Sequence, residues 1–255
     1  MPAAASTFKP IAPEAAGMPL YRSVKRALLR AIEGGLLPPG GALPNETGLA
    51  ASFGVSIGTL RHAVDELVAE HILVRRQGRG TFVATHSADR FLFQFFHVER
   101  SDGLREVPQV ELLGFARLRL EDEAAGAALN LALGEPVFAF ENRLVLQGRP
   151  VVYDQIVLPA ALFKGLSERR LRERSGTIYQ LYQSEFAITV VRAVERARAV
   201  AADRTSARVL GLVPGTPVMR VGRTALTFGD KPVEYRISTI HTALHEYVQT
   251  LSRPS

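Results

Sequence analysis

The 255-residue sequence has no cysteine and no tryptophan, only three methionines, and few aromatics, 7% in all. Without cysteine there can be no disulfide scaffold and no thiolate metal site. No apolar run approaches the roughly 18 residues of a membrane-spanning helix. The N-terminus, rich in Ala and Pro, lacks the basic-then-apolar pattern of a signal peptide. A cytoplasmic protein with no membrane partner is the expectation. Nor is there a phosphate loop, a nucleophile elbow or a His-Glu-x-x-His pattern; His241 and His245 stand at helical spacing without it. No cofactor and no metal are expected. The chain does have a 47% hydrophobic content, enough for packed cores in one large or two modest domains. Lys+Arg 31 against Asp+Glu 25 leaves a net charge of +6. That excess is spread over both halves, so local clustering says more about partners than the total does.

The clustering is densest between Pro44 and Val83. Asn45 can cap a first short helix, with Leu49, Ala50 and Phe53 facing inward. Gly54 and Val55 make a turn, and Ser56 can cap a second helix whose Leu60, Val64, Leu67 and Val68 form one buried stripe. That periodicity leaves Ile57, Gly58, Thr59, Arg61 and His62 outside, at the helix start. In a helix-turn-helix those positions meet base edges in the major groove. Arg61 suits a guanine edge or a phosphate, and Gly58 lets the backbone come close. Ile72–Arg75 and Thr81–Ala84 then read as strands around a tip of Gln77, Gly78, Arg79 and Gly80, with Arg75 and Arg76 at its base. A small basic tip suits phosphates or a minor groove. Helical pair and basic wing together, at this spacing, point to double-stranded DNA as the partner.

This segment resembles the winged helix-turn-helix of the GntR superfamily of bacterial transcription regulators. The matching pieces are Leu43-Pro44-x-Glu46, Leu49-Ala50, Phe53-Gly54-Val55-Ser56, Thr59-Leu60-Arg61 and Gly78-x-Gly80-Thr81-Phe82-Val83. The resemblance implies DNA contacts from Ser56, Thr59, Arg61 and the Gly78–Gly80 tip. Asn45, Thr47, Arg75, Arg76, Gln77 and Thr81 border the same surface. The chain departs at Thr47 and Ile57, where the family often has Arg.

Taken in order, residues 1–18 read as a loose arm, 19–84 as the DNA reader, 85–90 as a linker and 91–250 as a second domain. In the reader, Leu20, Val24, Ala27, Leu28, Ala31 and Ile32 make a further helix stopped by Gly34-Gly35. The second domain starts at an apolar strand candidate, Phe91–Phe96, and carries an internal repeat. LNLALGEPV from Leu129 recurs as LGLVPGTPV from Leu210, each after an Ala-rich helical stretch and before a strand, a turn and a Pro-Val strand. Two helix-plus-hairpin units joined in one antiparallel sheet give an α+β layer. Ile178–Phe186 reads as an amphipathic helix between them. This half resembles the UTRA ligand-sensing domain of the HutC-like branch of GntR regulators, similar in fold to chorismate lyase. The resemblance rests on the Leu-Gly-x-x-x-Gly-x-Pro pattern, Asn142-Arg143, Thr177-Ile178-Tyr179 and Pro232-Val233-Glu234-Tyr235. The ending departs, with Ile240-His241-Thr242-Ala243 where the family tends to an Asp-Arg pair.

Along residues 137–146, alternation places Phe138, Phe140, Leu144 and Leu146 on one face, expected to be core, and Glu141 and Arg143 on the other. Arg143 is the natural grip for a carboxylate or phosphate. Related sensors use the equivalent strand Arg with a Ser or Thr at a helix start, which would here be Thr177. Arg100, Tyr153, Tyr179, Glu195, Glu234, Tyr235 and Arg236 are further candidate contacts of a small, anionic effector. The expectation is a homodimeric regulator, a repressor, on an imperfect palindrome. Two other readings stay open: a metabolite-binding enzyme with a DNA tether, and a DNA-binding protein whose second half only dimerises.

Overall fold

Local signals account for the three helices of the N-terminal unit. α1 spans Leu20–Glu33, α2 Glu46–Phe53 and α3 Ile57–Ala69. Asn45 Oδ1 accepts from Gly48 N at 2.6 Å and Ser56 Oγ from Thr59 N at 3.1 Å, so both caps form. Gly54 closes α2 in the left-handed region at φ 68°, which turns the chain into α3. Val24 and Leu28 of α1, Leu49 and Phe53 of α2, and Leu60, Val64 and Leu67 of α3 bury together. The wing consists of β1 (Leu73–Arg76) and β2 (Gly80–Val83), paired antiparallel. It has an addition the sequence did not reveal. The segment at 40–43 pairs with β2, Leu43 N donating to Thr81 O at 2.8 Å and Val83 N to Gly41 O at 2.8 Å. The arm expected to be loose also docks in part. Phe8 lies edge-on against Phe53 at 5.2 Å, and Ile11 N donates to Phe53 O at 3.0 Å.

The computed structural model describes residues 8–11, 19–86 and 95–249. It divides into Met1–Thr85 and His86–Ser255. The expected strand at Phe91–Phe96 and linker at 85–90 fall largely outside the described residues. Phe95 and Phe96 are buried but belong to no strand.

The second unit is built on β4 (Gln109–Arg119), β5 (Pro136–Leu146), β6 (Arg149–Pro159), β7 (Arg192–Ala201), β8 (Pro217–Leu226) and β9 (Pro232–Ile240). They form one antiparallel sheet in the order β4-β5-β6-β9-β8-β7. The order is symmetric about the β6–β9 seam, as the sequence repeat demands. Each half has strand, short helix and hairpin. Asp122 caps α4 (Glu123–Leu129) and Asp203 caps α7 (Arg204–Leu210); Asn130 and Gly211 end them in the left-handed region. α5 (Glu168–Glu173) and α6 (Ile178–Phe186) lie between the halves in sequence. A separate pair, β3 (Val98–Arg100) with β10 (His245–Tyr247), completes the unit.

The two sheet faces differ. α4 packs against one, where Ala125, Val137, Val157 and Tyr235 cluster. α6 packs against the other, where Phe138, Phe140, Leu144, Ile156, Val221, Tyr179 and Tyr182 share the main core. On that face sits an ionic knot. Glu234, fully buried, accepts from Tyr179 Oη at 3.0 Å and Tyr182 Oη at 2.7 Å, and from Arg236 Nε and Nη2 at 3.0 Å each. Arg236 Nη1 reaches Asp154 Oδ2 across the seam at 3.1 Å, and Ser238 Oγ donates to Asp154 Oδ1 at 2.5 Å. Burial alone would depress the Arg236 pKa, but Glu234 and Asp154 outweigh it and hold it well above the ordinary value.

Two predictions follow from these packings. Gly54→Ala forces an alanine into the left-handed region and should lower urea-unfolding stability by about 1–2 kcal/mol. Gly58→Ala, inside α3 where an added Cβ meets only Ser56 Oγ, in ordinary contact at 3.8 Å, should leave stability unchanged or raise it by up to ~1 kcal/mol. Equal losses in both variants would contradict the assigned turn. In the knot, burial and the Glu234 charge push the Tyr179 phenol up to about 12 from its ordinary 10.0 and raise Tyr182 as well. A raised acid pKa means the folded state keeps protons that the unfolded chain loses. Stability should therefore be complete below pH 10.0 and fall as pH rises toward about 12. Phenolate absorbance should show Tyr179 and Tyr182 ionising well above pH 10.0, together with unfolding; ionisation near pH 10.0 with the fold intact would contradict their burial.

Candidate functional site

The reader surface comes together at the start of α3. Ser56, Ile57, Gly58, Arg61 and His62 are exposed there, and Thr59 is half-buried with its Oγ1 at 2.9 Å from Ser56 Oγ. Arg61 Nε donates to Glu46 Oε2 at 2.6 Å, so its charge is held beside the α2 start. His62 stacks on Tyr21 with ring centroids 4.0 Å apart. Thr47 is exposed on α2. On the wing, Arg75 pairs with Asp65, and the Arg76 guanidinium lies 4.7 Å from the Phe82 ring centroid. Gln77, Gly78 and Arg79 form the exposed tip, with Gly78 at φ 69° and Gly80 at φ 107°. A cavity of about 350 Å³ joins Asn45 and Glu46 to Arg79, Gly80 and Thr81, so the wing and the α2 start share one surface. Most of these side chains are exposed, as contacts to a large polyanion require.

In the second unit the expected pair does not meet. Arg143 Nε and Nη2 donate to Glu111 Oε2 at 2.8 and 2.5 Å, its register partner on β4. Thr177 caps α6, its Oγ1 accepting from Gln180 N at 3.2 Å. It lines a cavity of about 320 Å³ together with Asn142, Leu144, Asp154, Arg172, Arg174 and Arg236. Asn142 and Leu144 flank Arg143 on β5, so strand alternation sends Arg143 to the opposite face. The reading of Arg143 and Thr177 as one anion grip is corrected accordingly. The cavity opens on the face expected to be pure core, because α6 starts above a gap in the apolar packing.

Of the remaining candidates, only Arg236 lines this cavity. Tyr179 and Glu234 lie behind it in the knot. Glu141 accepts from Tyr153 Oη at 2.6 Å on the other face, where Glu141 and Tyr235 border a second cavity of about 600 Å³. Glu195 pairs with Arg223 at 2.5 Å and accepts from Tyr247; burial pushes its pKa up, but the Arg223 charge wins and holds it low. Arg100 pairs with Asp102 in an exposed turn. Sequence reasoning missed Asn142, Asp154, Arg172 and Arg174. For the first two a signal exists: each interrupts an otherwise apolar alternation, Phe138-Phe140-Asn142-Leu144 and Val152-Asp154-Ile156.

Among the described residues no group of His, Asp and Glu could hold a metal ion, and no helix is long and apolar enough to cross a membrane.

Comparisons with known proteins agree with this division. Residues 20–83 match the bacterial regulatory proteins of the gntR family, and residues 104–246 match the UTRA domain. The chain is 29% identical over 224 residues to an Escherichia coli (strain K12) protein named as a fructoselysine utilization operon transcriptional repressor, covering 84% of this chain and 87% of that one. It is 27% identical to the transcriptional repressor NagR of Bacillus subtilis (strain 168), covering 93% and 97%. It is 30% identical to an HTH-type transcriptional regulator of Rhizobium meliloti (strain 1021), covering 86% and 89%. Among solved structures, the ligand-binding domain of a chain assigned to the GntR-family regulators of Bordetella bronchiseptica superposes with a TM-score of 0.59 at 33% identity, covering 63% of this chain and 99% of that one. A DNA reader and a sensing domain thus lie in one chain, and the protein belongs to the GntR family of bacterial transcription regulators, with a UTRA domain as its second half.

Proposed function

We propose that the chain is a cytoplasmic repressor that binds an imperfect palindrome as a homodimer and leaves it when a small anionic effector enters the cavity beside α6. The observation that supports this most is the pairing of an exposed α3 start with a basic wing tip in one unit and a guanidinium-lined cavity in the other. The Escherichia coli and Bacillus subtilis relatives are named as repressors, and the same sign of control suits this chain. Two-fold symmetry of the protein matches two-fold symmetry of the site, so two readers meet two half-sites. On DNA, Arg61 exchanges or shares its Glu46 partner with a base edge or phosphate, and Arg79 at the tip meets the backbone or the minor groove. Thr47 and Ile57 contribute neutral side chains where the family often has Arg, which removes positive charge from the reading surface and changes base choice. An effector moves DNA affinity only by its differential affinity for the free and DNA-bound arrangements.

The test is fluorescence anisotropy on a duplex selected from a randomised pool. Arg61→Ala should lower specific affinity by ~1–3 kcal/mol and relax base preference at one position per half-site. Arg79→Ala should weaken binding to all duplexes alike and reduce the salt slope by about one. The complex should contain two chains per palindrome. Unaltered binding in both folded variants, or one chain bound tightly to a single half-site, contradicts the reading.

A further inference from the structure

The cavity beside α6 carries more information than its location. Three guanidiniums line it, those of Arg172, Arg174 and Arg236. Two are already matched. Arg172 pairs with Glu168 at 2.7 Å and donates to Leu112 O at 3.2 Å. Arg236 is held by Glu234 and Asp154. Arg174 differs. Its described side-chain hydrogen bond goes to the Leu171 carbonyl, and the charge beside it is the like charge of Arg236. Burial holds its pKa below the ordinary arginine value, with Tyr182 opposing the shift and Arg236 adding to it. The start of α6 borders the same space through Thr177 and Ile178, and its first-turn amides add partial positive charge.

The second observation concerns acceptors. Asp154 has both carboxylate oxygens engaged, one by Arg236 and one by Ser238. Asn142, its register partner on β5, is 4% exposed, lines the cavity, and its Oδ1 finds no donor among the protein atoms. A buried carboxamide oxygen without a donor costs about 1–3 kcal/mol, and a molecule in the cavity can relieve it. The donor must be an O–H or N–H, and beside three arginines a neutral hydroxyl avoids a second cation.

We propose that this cavity selects a hydroxyl-bearing small anion, a phosphate or a carboxylate, whose charge rests on Arg174 at the α6 start and whose hydroxyl donates to Asn142. The proposal rests on the reading of this cavity as the effector site and adds the chemistry that it recognises. At about 320 Å³ the space lies at the small end of ligand pockets. Arg143, on the opposite face and paired with Glu111, takes no part.

Calorimetry on the full chain tests it with four probes: glycerol 3-phosphate, glycerate, inorganic phosphate and glycerol. At least one of the two hydroxylated anions should bind more tightly than inorganic phosphate, and glycerol should not bind. Which of the two prevails identifies the anion as phosphate or carboxylate. Arg174→Gln should weaken that anion at least ~tenfold, and Arg174→Lys should recover much of the loss. Asn142→Ala should weaken it about fivefold while leaving inorganic phosphate unchanged. Arg143→Gln, with unchanged far-UV circular dichroism, should bind like the parent. Neither hydroxylated anion binding the parent at about 10 mM overturns the proposal. So does a folded Arg174→Gln variant with full affinity, or loss confined to Arg143→Gln. Should Arg174→Gln fail to fold, the parent's ranking of the four probes decides alone. Binding with the expected pattern but without any change in duplex affinity upholds the ligand assignment and defeats the reading of the cavity as a control site.

Discussion

Glu234 sits in the main core with no exposed surface, and its charge has to be answered there. Arg236, two residues along the same strand, supplies two hydrogen bonds; Tyr179 and Tyr182 of α6 supply two more. Arg236 in turn needs Asp154, which belongs to the other half of the repeat. One buried carboxylate thereby ties α6 to β9 and β9 to β6. A buried ion pair of this kind contributes little net stability against an apolar core, but losing one member is costly. It fixes where α6 lies over the sheet, and so where the cavity at its start opens.

That placement determines the chemistry available to a ligand. With the Arg236 charge consumed inside the knot, the cavity still presents Arg174 and the α6 amides, while Asn142 Oδ1 beside them is a buried side-chain acceptor without a donor. A ligand that answers these groups also touches residues bonded to the seam between the two halves. Small displacements at Arg236 would be felt at Arg223, its register partner on β8, and through the 2.5 Å bond from Arg223 Nη2 at the Phe95 carbonyl.

Much of this was legible before any coordinates. The caps at Asn45 and Ser56, the turn at Gly54 and the wing glycines are local devices, each specified by a few neighbouring residues, and they formed where the pattern put them. The repeat around Gly134 and Gly215 likewise foretold the symmetric sheet. Alternation separated Phe140 and Leu144 from Glu141 and Arg143 correctly. What it does not contain is which face a distant helix covers. Charge usually means water or ligand, so the charged face suggests the pocket, yet Arg143 finds Glu111 across one strand gap. The polarity that lines the cavity beside α6 lies on the apolar face, at Asn142 and Asp154, visible only as breaks in a hydrophobic run. The pairing of residues 40–43 with β2 was hidden because Pro38-Pro39-Gly40-Gly41 reads only as a turn.

An effector on the α6 face of the sheet meets Arg174, and one on the opposite face meets Arg143. Nitrogen-15 spectra of the arginine side chains, recorded on the full chain during a titration with glycerol 3-phosphate, report that directly. The Nε–H resonance of Arg174 should shift with the titration while that of Arg143 stays fixed on its Glu111 partner. A shift at Arg143 with Arg174 unmoved would place the ligand on the opposite face and contradict the account.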